Sequence, residues 1–169
     1  MKAGGRWLLP GLLLLAGCAG GSSTSGEIPV KVVTEGPYCG DDKAGVTVIA
    51  DAAAWGDASP ATEIGAPADS PPVDFTRAVL VRIGMGQRPT AGYGLTLARD
   101  RAGHRDGTAV IRVRWRQPEP DALQAQVVTQ PCLLVRLPRA GIGRVRVVDE
   151  AGTVRGKAVV PPAGEEGGQ

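Results

Sequence analysis

The chain has 169 residues, 43% of them hydrophobic and 21% charged, with a formal net charge of +2, enough for one domain with a real core but not two. One histidine, His104, and five serines confined to polar linkers leave no nucleophile–base pair, no metal-ligand cluster and no phosphate loop. An enzyme is not expected, and no metal or cofactor.

Residues 1–17 read as a bacterial lipoprotein signal peptide. Lys2 and Arg6 form a basic start, and the apolar run after them is far shorter than the ~20 residues of a spanning helix. Leu15-Ala16-Gly17-Cys18 resembles a lipobox, which implies acylation at Cys18. The expected location is the bacterial cell envelope. Ala19 after the cysteine resembles an outer-membrane address. Residues 18–28, rich in Gly and Ser, read as a flexible tether, and 163–169 as a disordered tail. The domain is expected over 29–162.

Charge is unevenly spread. Without the signal peptide, 17 basic and 17 acidic residues remain, yet 77–146 holds thirteen arginines against four carboxylates. That block suits an anionic envelope surface or an acidic partner, or else an arginine-rich solvated sheet face paired with the acidic half. Nucleic acid is not an expected partner of an exported lipoprotein. Once Cys18 is lipidated, Cys39 and Cys132 remain as an even pair in an oxidising compartment, which reads as one disulfide.

Along the domain, 29–34 alternates weakly as a first strand, and 45–50 is β-branched and bounded by glycine. Asp51 then offers an N-cap to a short helix anchored by Trp55. Residues 56–72 read as an irregular connection. Strands are expected at 78–83 and 95–99, joined by a Gly-rich segment, 84–94, read as a long hairpin connection. Residues 100–107 read as a turn. Over 109–116, Ile111, Val113 and Trp115 alternate with Arg112, Arg114 and Arg116, the pattern of a half-buried antiparallel strand. Pro131 breaks the run 126–138, which reads as an edge strand or a kinked one. Residues 144–148 and 158–160 flank a terminal hairpin turn. These signals sum to a mainly β fold, an antiparallel β-sandwich or open barrel of about seven strands with one short helix.

Four stretches carry a resemblance: Val73-Asp74-Phe75, Arg88-Pro89-Thr90-Ala91-Gly92-Tyr93, Thr129-Gln130-Pro131, and Val135 with Leu137-Pro138. In this order and spacing the chain resembles the C-terminal domain of the PrcB family over about 46–148, with Ala91 where the family more often has glycine. The resemblance implies a non-enzymatic protein that assists or stabilises assembly of a protease. It makes Arg88, Pro89, Thr90, Ala91, Gly92 and Tyr93 the expected partner-binding loop, with Tyr93 also a candidate anchor of that loop to the body. Pro89, Thr90, Gly92 and Tyr93 also resemble one loop of chagasin-type cysteine-protease inhibitors, which implies inhibition as an alternative. The Arg-Pro-Trp/Phe loop of those inhibitors has no counterpart here. A purely structural envelope lipoprotein is the third reading.

Overall fold

The computed structural model describes Met1 and residues 25–38, 43–58 and 72–163. The lipobox, Cys39 and the central part of the irregular connection lie outside the described residues. Ten strands and one helix follow in order: β1 (Ser25–Pro29), β2 (Lys31–Gly36), β3 (Ala44–Ile49), α1 (Ala52–Ala58), β4 (Ala78–Met85), β5 (Gly94–Leu97), β6 (Arg101–Arg105), β7 (Thr108–Arg116), β8 (Cys132–Pro138), β9 (Arg144–Val148) and β10 (Val154–Val159).

They form two sheets. One has six strands in the order β1-β6-β7-β9-β10, with β5 also paired to β7, and the other has four in the order β2-β8-β4-β3. Neither sheet closes on itself and the two enclose one core, consistent with the expected sandwich. Every pairing is antiparallel except β7 with β9, which run parallel because the chain crosses to the other sheet through β8 between them.

The sandwich core follows from alternation. Ile111 and Val113 of β7 and Val145 and Val147 of β9 face Val79, Val81 and Ile83 of β4 and Leu133, Val135 and Leu137 of β8. The arginines between them on β7 and β9 point outward, as the period-2 pattern requires. β4 and β8 do not alternate, because the four-stranded sheet is covered twice. Its second face buries Ile49, Leu80 and Leu134 under Trp55 of α1 and under Val73 and Phe75. A strand buried on both faces reads as a continuous apolar run.

α1 starts as the sequence predicts: the Ala54 N–H donates to Asp51 Oδ1 at 2.7 Å. A clamp then secures the covering layer. Arg139, 8% exposed, donates to the carbonyls of Ala50, Phe75 and Pro161 at 3.0, 3.2 and 2.7 Å. One guanidinium thereby ties the helix start, the 72–77 segment and the chain end together.

Four expectations are corrected. Residues 25–28, expected in the tether, belong to β1, whose backbone pairs with β6 while Ile28 packs on the core. The expected turn at 100–107 is mostly strand β6. Its reversal is confined to Asp106 and Gly107, both at positive φ (50° and 72°), a two-residue Asp-Gly hairpin turn with Arg105 opposite Thr108. β8 is neither an edge nor a kinked strand: Pro131 precedes it, and the strand lies between β2 and β4. Finally, 84–94 is no hairpin connection, since β4 and β5 lie in different sheets and the segment crosses between them.

Candidate functional site

The expected loop is fastened along its length by the segment that leads into β8. Arg88 and Thr129 form an isolated antiparallel bridge, Arg88 N to Thr129 O at 2.7 Å and Thr129 N to Arg88 O at 2.9 Å. Ala91 N donates to Ala125 O at 3.0 Å, and Met85 N donates to Pro131 O at 2.9 Å. The Thr129 hydroxyl donates to the Thr90 carbonyl at 3.2 Å. Proline costs nothing at position 131, where the backbone is asked only for an acceptor.

Side chains complete the bracing. Arg88 Nη2 donates to Met85 O at 2.7 Å, and its guanidinium carbon lies 5.3 Å from the Tyr93 ring centroid, a cation–π distance. Its Nε is buried with no hydrogen-bond partner among the described residues. Tyr93 is half-buried and packs on the sandwich core, so it anchors the loop. Gly92 sits at φ +92°, and a Cβ there would run into the Gln124 side chain and approach Pro118 Cβ to 3.0 Å. Only glycine fits both demands.

Of the six loop residues, Pro89 is exposed and Arg88, Thr90, Ala91, Gly92 and Tyr93 are half-buried. Arg88 is therefore an internal brace more than a free contact. The exposed material beside the loop comes from elsewhere. Val127 and Val128 are 47% and 50% exposed on the bracing segment, and Tyr38, 41% exposed, donates its hydroxyl to Val128 O at 2.8 Å. Pro89, next to the Arg88–Thr129 bridge, is exposed beside them. Val127 and Val128 fall within the 126–138 run expected as a strand, where alternation does not disclose their exposure. The signal was Pro131, which ends regular pairing on its N-terminal side.

Cys132 is buried at the start of β8, opposite Gly36 of β2, with Sγ 3.7 Å from the Gly36 carbonyl oxygen. Its expected partner, Cys39, lies outside the described residues. His104 is on β6 and not in a turn, with Nε2 3.0 Å from Gly141 O. Cys18 and most of the expected tether also fall outside the described residues.

Among the described residues two carboxylates are perturbed. Desolvation pushes Asp149 up, but the Thr153 N–H, a hydrogen bond and charge from Arg155, and the Ala151 N–H outweigh it, so it lies below the ordinary 3.8. Asp74 is lowered chiefly by the Thr76 hydroxyl, then by the Thr76 N–H. Both close tight local turns; neither faces the loop.

Residues 79–138 match the family model described as PrcB C-terminal. Over these residues the chain is similar to the PrcB C-terminal domain. The match begins on β4 and ends on β8, so it takes in the loop, the bracing segment and the strands that position both. It is narrower than the 46–148 expected from the motifs; the PrcB-like span leaves out β3, α1 and β9. No curated protein and no solved structure matches the chain.

Proposed function

We propose that this chain is a lipid-anchored, non-enzymatic interaction module whose PrcB-type loop and bracing segment bind a protein of a protease complex in the bacterial envelope. The observation that carries the reading is the set of exposed apolar side chains, Pro89, Val127, Val128 and Tyr38, on and beside a crossing held by backbone hydrogen bonds to 125–131. A loop fixed before binding loses little entropy on docking, and clustered exposed apolar side chains mark contact surfaces. Protease association comes from the family resemblance. Anchoring comes from the lipobox at Cys18, and the absence of catalysis from the single histidine and the placement of the serines.

The same geometry disfavours the inhibitor alternative. An inhibitor loop enters a cleft with free backbone groups, whereas here Arg88, Ala91 and the Thr90 carbonyl are already paired to 125–129. A disulfide between Cys39 and Cys132 belongs to the reading as well. The chain leading to Cys39 runs beside 128–132, with Gln130 N donating to Pro37 O at 2.6 Å. Intact-mass analysis without reductant tests it: a chain two hydrogens lighter supports the bond, and two free thiols reject it.

The function is tested by affinity capture from solubilised membranes with the wild-type chain and a Pro89→Asp/Val128→Asp variant. Both side chains are exposed and make no hydrogen bond of their own, since the Tyr38 hydroxyl bonds only the Val128 backbone carbonyl, so the variant keeps its fold. A captured protease subunit absent from the variant supports the reading. A capture profile identical for both proteins rejects the surface, and inhibition of a papain-like protease by the wild type would favour the inhibitor.

A further inference from the structure

The outer face of the six-stranded sheet carries a pattern that the loop surface does not use. In the parallel pair β7–β9, Thr108 stands opposite Arg144 and Val110 opposite Arg146; in β9–β10, Arg146 stands opposite Lys157. Arg105 of β6 lies opposite Thr108, so its side chain joins the same rows. Together they line an open groove of about 650 Å³. Asp106 is the single carboxylate in it, 3.5 Å from Arg105 Nε. Arg144, Arg146 and Lys157 have no carboxylate partner among the described residues.

Like charges directly opposite on neighbouring strands destabilise a sheet, and the Arg146–Lys157 pair is one such case. Arg144 adds a third cation one pleat away. The sheet bears this repulsion on an exposed face, where an extended anionic surface would relieve it. The way the chain enters the sheet indicates which anion. β1 is the edge strand, and its first residue, Ser25, stands opposite Arg105 at the rim of the basic groove. Six residues lie between Cys18 and Ser25, and the seven Cα steps reach at most about 25 Å. A lipid at Cys18 holds this rim within that distance of the bilayer.

We propose that the outer face of the β6-β7-β9-β10 sheet docks on the headgroups of an anionic phospholipid bilayer. The orientation rests on the proposed anchoring at Cys18; the charge of the face does not. Docked this way, the domain adds a salt-sensitive electrostatic contact to the acyl anchor, as basic segments next to lipid anchors do.

The test uses the full chain with Cys18→Ser, so that acylation cannot contribute, and vesicles of phosphatidylglycerol with phosphatidylethanolamine against vesicles of phosphatidylcholine. Co-sedimentation with the anionic vesicles alone, lost when salt rises several-fold, is the expected result. Arg144→Gln/Arg146→Gln/Lys157→Gln is expected to weaken it on the order of a hundredfold, with an unchanged or higher thermal midpoint. Should the triple variant melt early, Lys157→Gln alone is expected to weaken binding about fivefold. Equal binding to both vesicle types, or undiminished binding by the variants, overturns the proposal. So does a variant that keeps its vesicle affinity and loses an acidic protein partner instead. The mass of the wild-type chain from membranes reports acylation separately, so failure of the anchor and failure of the basic face are told apart.

Discussion

The two sheets of this sandwich share one core and differ in what lies behind them. The four-stranded sheet is roofed by α1 and the 72–77 segment, so Leu80 and Leu134 are as buried on its outer side as Val81 and Val135 are on its inner side. Among the described residues nothing covers the six-stranded sheet, and its outer side carries Arg112, Arg144, Arg146 and Lys157. Stability is therefore concentrated on one side of the molecule, and freedom to vary or to bind on the other. The crossing at 84–94 runs between them and borrows rigidity from the first.

The comparison breaks hardest at the clamp. Arg139→Ala leaves three carbonyls of the roof without their donor, at about 1–3 kcal/mol each. A loss of about 4 kcal/mol or more in urea denaturation is expected, and a loss below about 1 would mean that water replaces the guanidinium. Leu80→Ala is expected to cost about 3 kcal/mol in the same assay. That is a core-sized penalty on an outward face, and a cost typical of a surface change would show that the roof does not pack. The equivalent probe on the open sheet, Arg144→Gln, is expected to stay within about 0.5 kcal/mol.

Acid sharpens the contrast at the β9–β10 turn. Asp149 and Asp74 hold their protons less tightly folded than unfolded, so their contribution is complete above the ordinary value of 3.8 and is lost as pH falls below it. Asp149→Asn is expected to flatten the acid limb of a melting-temperature profile between about pH 4 and pH 2. A limb of unchanged steepness would mean that the Arg155 contact at 2.7 Å carries no net stability. A smaller effect than at the clamp or at Leu80 is expected at the crossing, where Thr129→Val removes one hydroxyl donor to Thr90 and costs about 1 kcal/mol. Slower capture of the partner at equal stability would show that loop rigidity serves binding.

Much of the fold was legible in local chemistry. The β7 alternation, the Asp51 cap and the terminal hairpin are each decided within a few residues, and the structure keeps all three. The Asp-Gly turn at 106–107 was equally local, but the charged residues around it masked β6 as loop. β1 had almost no side-chain signal, because an edge strand of Ser, Gly, Glu, Ile and Pro is held through its backbone, with Ile28 alone packed on the core. For the site, the identities of Arg88 to Tyr93 and the anchoring by Tyr93 were legible along the chain, and the bracing at Arg88 was not. It depends on Thr129, 41 positions away, which bonds the Arg88 N–H and carbonyl oxygen.

The sequence by itself determined that the protein is mainly β, where its regular strands alternate, and that it carries a PrcB-type loop between two of them. Side-chain period and turn chemistry act over a few residues, so they can be read along the chain. Tertiary structure alone decided that the loop crosses between sheets, that Val127 and Val128 stand exposed beside it, and that the arginines of three strands gather on one uncovered face. Each depends on which strands become neighbours, a choice made by burial across the whole domain, which no local pattern records.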